Sequence, residues 1–344
     1  MQTVHIREHG GPSVLQLVET PRPEPGPGEV LCRVLGLSVN HLDLWVRRGM
    51  PGVKIPMPHI PGCDGTGEVV ACGDGVQAAL EVGQPVLLEP GFTVADSQWV
   101  SEGLDHLADD YQIRGEHGAG YGREFVCLPE RYVLPLPDGL DPVDTAATPL
   151  VFLTAWGLLH SRAQVRKGEH VLVLGGASGV GSAAIQVARE AGAKVIATAG
   201  RKEGRALSCE LGADVALDHG DPDWGKQLRS WSPRGVDVVV EHVGPATWAT
   251  SMRVLARNGR LVTCGGTTGP KVDIALPHLF MKNQSVLGST MGPRNAFPTI
   301  LERLASGAYK AVVDRRMPLS EVRQAHELLE DRGVTGKIVL IPGS

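Results

Sequence analysis

The sequence has no CxxC pair and no short-spaced cluster of cysteine and histidine; its six cysteines, Cys32, Cys63, Cys72, Cys127, Cys209 and Cys264, stand singly. That pattern excludes a ribbon-type metal site and a disulfide framework, and it reads as reduced, mostly buried thiols. Only Cys63, in the glycine-rich stretch PGCDG, is placed in a loop where a thiol could serve a site. Runs of basic residues are equally scarce, none being longer than Arg47-Arg48 or Arg315-Arg316, and the net charge is −5. No nucleic-acid or anionic-membrane partner is expected from such a surface. Long apolar runs are absent too. The most apolar segment, Ala146 to Leu159, is too short and interrupted to span a bilayer, and the opening MQTVHIREHGG lacks an apolar signal core. A cytoplasmic protein with a small-molecule substrate is the expectation. What the chain does have is 344 residues that are 42% apolar and 21% charged, enough for two domains with separate cores.

Up to about residue 136, short apolar runs alternate with Gly and Pro (QTVHIR, EVLCRVLGLSV, TGEVVACG, QPVLLEP, REFVCLP), which predicts a β-rich, barrel-like domain. One helical turn interrupts it at NHLDLWVRRG, where Asn40 can cap and Gly49 can stop the helix. The rhythm then changes. After a helical stretch at 144–160, strands such as HVLVLGG, KVIATAG, DVALD, DVVVEHVG and RLVTCGG alternate with amphipathic helices as far as SVLGSTMG. Such alternation implies right-handed βαβ units and a doubly wound parallel sheet. The remaining helices and strands, ending in KIVLIP, are expected to return to the first domain, giving domains at 1–136 with 295–344 and at 137–294.

VLVLGGASGVGSAAIQVA sets Gly175, Gly176, Gly179 and Gly181 between a strand and a helix. A turn of that kind lets backbone N–H groups and the positive helix end approach a pyrophosphate, so Gly176, Ser178, Gly179, Val180 and Gly181 are the expected dinucleotide contacts. The strict G-x-G-x-x-G spacing is not met, because Ser178 holds the middle position. At the end of the next strand, Thr198-Ala199-Gly200 carries no Asp or Glu for a ribose 2′-hydroxyl, and Arg201 and Lys202 follow. Two cations without an acid predict a 2′-phosphate, hence NADPH rather than NADH.

The barrel-like half, AATPLVFLTAW, the glycine turn, VIATAG, VDVVVEHVG, GRLVTCGGTTGP, SVLGSTMG and the final GKIVL occur in order across the chain. Together they resemble the medium-chain dehydrogenase/reductase superfamily, in its quinone oxidoreductase and zinc-type alcohol dehydrogenase-like branch. The resemblance implies an α/β protein with a GroES-like β-barrel catalytic domain and a Rossmann domain. It also explains the long segment at 90–111, which has the length of the family's structural-zinc lobe but carries Val94, Ser97, Val100 and Ala108 at the four ligand positions. Val and Ala donate nothing to Zn²⁺. The acidic residues around them, Asp96, Asp105, Asp109 and Asp110 with His106, read as a solvated loop. At the family's three catalytic-zinc positions stand Asn40, Cys63 and Leu150, so no metal is expected there either.

Asn40 followed by Asp43 instead resembles the N-x-x-D of zinc-free quinone reductases, although Trp45 stands where many of those carry Tyr. These two are the candidate catalytic residues, with Asn40 offering its amide to the acceptor oxygen. For the cofactor the resemblance implies Thr154 near the nicotinamide carboxamide, His242 at the ribose, Gly265, Gly266 and Thr267 at a strand end, and Ser289 and Thr290 facing the nicotinamide. His219 and Lys337 are implied at the adenosine phosphate. Thr154 could equally bond back within its helix, and His242 could be a buried, satisfied histidine. Tyr132 and His41 are possible proton donors by residue type alone. The leading reading is an NADPH-dependent, metal-free reductase of a quinone or an activated C=C bond. Its rivals are an alcohol dehydrogenase or carbonyl reductase and a non-catalytic NADPH-binding protein. A homodimer is expected through the Ser285–Thr290 strand, which ends the sheet series and so lies at an edge.

Overall fold

The computed structural model describes residues 1–50 and 52–343 and divides the chain into two units, Met1–Leu150 with Phe297–Ser344, and Val151–Ala296. The first unit therefore runs to Leu150 rather than to 136. The short Pro142–Thr145 helix packs on the strand Glu29–Ser38 at Gly36, whose absent side chain leaves room for Ala146 and the Val143 backbone.

In the first unit a seven-stranded sheet runs, in order, Val313–Pro318, Lys337–Ile341, Glu29–Ser38, Asp64–Cys72, Pro85–Leu88 and Val133–Pro135, with Phe125–Pro129 also pairing to Glu29–Ser38. All pairs but the first are antiparallel. Alternating side chains from these strands, Val30, Cys32, Val34, Val69, Val86, Val126 and Leu340 among them, form one buried cluster. Each fully buried aliphatic side chain contributes about 1.5–3 kcal/mol, which outweighs the weak intrinsic preference of any one short strand. The predicted helix between Asn40 and Gly49 spans His41–Arg48. A reciprocal capping box between Asn40 and Asp43 opens it, and Gly49, at φ 87°, ends it.

The second unit is a six-stranded, wholly parallel sheet in the order Val215–Leu217, Lys194–Thr198, His170–Val173, Val236–Glu241, Leu255–Thr263, Ser285–Gly288. Numbered along the chain this is 3-2-1-4-5-6, the dinucleotide-binding order, with the strand order reversing between the first and fourth strands. The inner strands carry buried residues on both faces, as near-continuous runs of Val and Ile predict, whereas the two edge strands Val215–Leu217 and Ser285–Gly288 are only partly buried. The stretch read as one helix at 144–160 is instead two helices, Pro142–Thr145 and Pro149–Trp156, followed by a wide helical turn over Gly157–Arg162. Pro149 lacks the N–H that would carry the first helix into the second.

Candidate functional site

The cradle in the second unit is built at the carboxyl ends of its strands. Gly175 takes φ 58°, which L side chains rarely adopt. A side chain on Gly181 would collide with the Gly175 carbonyl oxygen, and one on Gly176 would come within 2.6 Å of the Ser208 hydroxyl. Ser178, the departure from the glycine fingerprint, caps the Gly179–Glu190 helix by accepting from Gly181 N at 3.1 Å. The N–H groups of Gly179 and Val180, in the first turn, have no intrahelical acceptor and mark the positive end of the helix. These residues fit a pyrophosphate, and the crowding leaves no space for a side chain in its place.

His242 lies against that turn and His219 against the end of the next strand, while Thr154 and the Ser289–Thr290 loop form a separate group in the same unit. His242 donates from Nε2 to Leu174 O at 2.7 Å and packs against Gly175, and burial pushes its imidazole below the usual histidine range. It is thus both satisfied and part of the cradle wall. Thr267 donates from N and Oγ1 to His242 O, which lays the Gly265–Thr267 loop on the loop after the fourth strand. Ser289 N bonds Thr263 O at 2.9 Å, and Thr154 Oγ1 donates to Met291 Sδ at 3.7 Å rather than back within its helix, so Thr154 and the Ser289–Thr290 loop are neighbours. His219 lies 3.3 Å from Thr198 Oγ1 and beside Gly200.

Two residues of this unit were not foreseen. Arg205, four positions after Arg201 on the same helix face, donates to the Ala199 and Gly200 carbonyls and to Asp218 Oδ2 at 2.9 Å. The acid missing from the second strand end is therefore supplied from the turn after the third, already paired to an arginine. Glu241, fully buried, accepts from Val243 N, Gly244 N, Thr247 Oγ1 and Ser251 Oγ and so holds the His242 loop in shape. A carboxylate ending the apolar run VDVVVE was the available signal, since an acid is almost never fully buried without partners.

In the first unit a buried polar cluster forms where three strands end. The antiparallel register sets Ser38 opposite both Asp64 and Val339, and its continuation brings Lys337 opposite Asn40. Asp64 Oδ2 accepts from Ser38 Oγ at 2.8 Å, Asn40 Nδ2 at 2.9 Å and Lys337 Nζ at 3.4 Å, while Oδ1 accepts from Leu150 N at 2.6 Å. Lys337 Nζ also donates to Asn40 Oδ1. Asp43 accepts from Asn40 N, Gly62 N and the Cys63 thiol. Burial pushes the Asp43 carboxyl up to about 6 and, with the two carboxylates beside it, holds the Cys63 thiol far above its usual range.

Both ends of the Asn40 amide are taken, its oxygen by Lys337 and its nitrogen by Asp64 and by Ser38 O at 3.3 Å. Lys337, expected at the adenosine phosphate, donates to Asn40 and Asp64. Nor do the three catalytic-zinc positions fit that metal. Asn40 is hydrogen-bonded through both ends, Cys63 is a protonated donor, and Leu150 contributes only a backbone N–H. Among the described residues no group of three or more His, Cys, Asp or Glu side chains is arranged to hold a metal ion.

The lobe at 90–111 is held without metal ligands. Asp110 accepts from Val94 N at 2.8 Å and Ala95 N at 2.7 Å, and Ser97 caps the Gln98–Ser101 turn. Tyr132 is buried and donates its hydroxyl to Thr93 O, and His41 opens the helix after Asn40.

Residues 26–138 match the alcohol dehydrogenase GroES-like domain and residues 179–306 the zinc-binding dehydrogenase domain. Quinone oxidoreductase from Rattus norvegicus is 30% identical, with 99% of this chain and 98% of that one aligned. Quinone oxidoreductase from Pseudomonas aeruginosa is likewise 30% identical, over 98% and 99% of the two chains. Among solved structures, a protein described as an NAD-dependent alcohol dehydrogenase superposes with TM-score 0.96 at 40% identity, covering both chains fully. A crotonyl-CoA carboxylase/reductase in complex with NADP superposes with TM-score 0.87 at 27% identity, over 99% of this chain and 94% of that one. With the GroES-like unit, the parallel dinucleotide-binding sheet and these relatives in agreement, the chain belongs to the medium-chain dehydrogenase/reductase superfamily of oxidoreductases.

Proposed function

We propose that this oxidoreductase is an NADPH-dependent, metal-free reductase of a quinone or an activated C=C bond. The observation that carries the reading is the donor set at the zinc positions, where an amide, a protonated thiol and a backbone N–H belong to a hydrogen-bonded network closed by a lysine. Bound nicotinamide would supply a hydride. The chain's own part is to cradle the dinucleotide on Gly175–Gly181, to set Thr154 and the Ser289–Thr290 loop near one another, and to present hydrogen-bond donors to the acceptor. A conjugated carbonyl spreads developing negative charge over several atoms, so a quinone or enone needs less electrophilic help than a simple aldehyde. Arg201, Lys202 and Arg205 at the second strand end support a 2′-phosphate, and the quinone oxidoreductase relatives support the acceptor class. The open edge strand Ser285–Gly288 supports a homodimer.

A second reading has its own support, since the structural relative at 40% identity is described as an NAD-dependent alcohol dehydrogenase. NADPH and NADH oxidation against matched panels of quinones, enones and aldehydes separates the two. Turnover confined to the conjugated acceptors is the expected result; faster turnover of simple aldehydes or alcohols establishes the alcohol dehydrogenase instead.

A further inference from the structure

In a sheet of this strand order the end of the second strand meets the adenosine ribose, and here Thr198-Ala199-Gly200 carries no acid. An imidazole stands in its place. His219 Nδ1 lies 3.3 Å from Thr198 Oγ1, and a side chain on Gly200 would come within 3.1 Å of His219 Nε2. The ring therefore fills the space that a side chain at position 200 would take. Thr198 is fully buried, whereas Gly200 and His219 are exposed, so the ring is anchored on a rigid residue and is itself open to solvent. Thr198 Oγ1 also accepts from Gly175 N at 3.3 Å, which ties that anchor to the glycine turn. A hydroxyl both donates and accepts, so it pairs with Nδ1 whether or not that nitrogen carries a proton. The anchor thus permits both neutral tautomers and the imidazolium.

The charged groups on the segments beside the ring are Arg201, Lys202, Glu203 and Arg205, on the Lys202–Glu210 helix and its cap, and Asp218, Asp221 and Asp223, on the turn that carries His219. Asp218 is paired with Arg205 and Asp223 with Lys226. The glycine turn at 175–181 has no charged residue, and His242 beside it donates to Leu174 O. We propose that His219 is a specificity-determining residue that reads the 2′ position of the adenosine ribose in both of its charge states: the neutral ring accepts from a 2′-hydroxyl, as the missing acid would, and the protonated ring donates to a 2′-phosphate. One site then takes both NADH and NADPH, and acidity moves the choice towards NADPH. This deepens the cofactor reading above, on which it rests, by making the preference depend on pH. An anion beside an imidazole favours its charged form, so the phosphate draws a proton onto the ring. That share of the affinity is present in acid and is lost as pH rises through the titration of the bound ring. Arg201 and Lys202 keep their charge over the same range and attract the phosphate throughout.

Equilibrium binding of NADP⁺ and NAD⁺, which are stable in mild acid, to the parent and to His219→Gln between pH 6.5 and 8.5 tests this. The second proton of a phosphate monoester leaves near pH 6, so the charge of the ligand changes little in that interval. In the parent the ratio of NADP⁺ to NAD⁺ affinity should fall by about tenfold from pH 6.5 to 8.5, the effect of losing one charge-assisted hydrogen bond. In His219→Gln, which cannot titrate, the ratio should change by less than about twofold, with NAD⁺ affinity within about twofold of the parent's. A ratio that does not vary with pH in the parent overturns the proposal, and so does a slope that His219→Gln retains. A preference for NADP⁺ that is equal at every pH overturns it while leaving the NADPH reading intact. A slope that is lost in His219→Gln, with NAD⁺ the tighter ligand even at pH 6.5, upholds His219 as the reader of the 2′ position and refutes the NADPH preference.

Discussion

At residue scale, Arg47 and His326 show how a buried charge dictates the state of its neighbour. Arg47 is 1% exposed and donates to Gly10 O, to His326 Nδ1 at 3.3 Å and to Glu330. An imidazole that accepts from a guanidinium must be neutral on that side, and burial, reinforced by Arg47, pushes His326 down to about 3. Its unfolded value is near 6.5, so between those limits the unfolded chain binds more protons and stability rises with pH. Acidification from pH 6.5 towards 3 therefore removes stability, at roughly 1 kcal/mol per pH unit within the window. Asp43, pushed up to about 6, acts in the opposite sense between its unfolded value and 6. The comparison that isolates the histidine is parent against His326→Gln in urea unfolding across this range. The gap between the two should widen steadily in the parent's disfavour as pH falls, and parallel curves would show that His326 does not titrate as described.

The cofactor preference also belongs to single residues. Charge-assisted hydrogen bonds contribute about 1.5–3 kcal/mol each, so replacing Arg201 and Lys202 by Ala should weaken NADPH by at least about tenfold and leave NADH nearly unchanged. Arg205 behaves differently because it is tied to Asp218. Arg205→Ala releases that carboxylate, which repels a phosphate and accepts from a ribose hydroxyl, so selectivity should move towards NADH beyond the change in the double variant. Equilibrium binding of both cofactors to each variant measures this. Equal losses for NADPH and NADH would mark these cations as structural.

At the scale of elements, the lobe at 90–111 is closed by strand pairing and hydrogen bonds. Its two ends are joined by the Gly91–Phe92 and Gln112–Ile113 strands, and Asp110 ties the chain across at Val94 and Ala95. Asp110→Ala should open the lobe without unfolding the domain, seen as faster proteolysis between 94 and 110 at unchanged midpoint of thermal unfolding. Cleavage no faster than in the parent would place the restraint elsewhere. The absence of four zinc ligands was legible in Val94, Val100 and Ala108, because their side chains have no donor atoms. The role of Asp110 was not, since an acid beside Asp109 in a polar loop looks like any solvated residue. The helix His41–Arg48 was legible for the converse reason, its cap and stop residues lying within the segment they bound.

At the scale of the whole molecule, Ser285–Gly288 lies at the edge of the second unit's sheet and, among the described residues, pairs only with Leu255–Thr263. The preceding helix, Leu276–Met281, exposes Leu276, Phe280 and Met281 to more than 60% each. An open edge and exposed apolar side chains are surfaces that proteins seldom leave bare, and two-fold pairing of like strands is the arrangement proposed above for a second copy of the chain. Light scattering at micromolar concentration should give a dimer for the parent and a monomer for Val286→Pro, which removes a strand donor at the edge. A monomeric parent would end the dimer reading.

Sequence by itself determined the two-part plan, because strand and helix periods, glycine turns and helix caps are local patterns that a single segment carries. It likewise determined that the zinc positions lack their ligands, since donor chemistry is a property of residue type. Only the tertiary structure decided that Lys337 meets Asn40, that Asp218 meets Arg205 and that Asn40's amide is already committed. These contacts join residues brought together by strand order and register, and antiparallel pairing of the last strand with Glu29–Ser38 aligns side chains almost 300 positions apart, a match that no local spacing encodes.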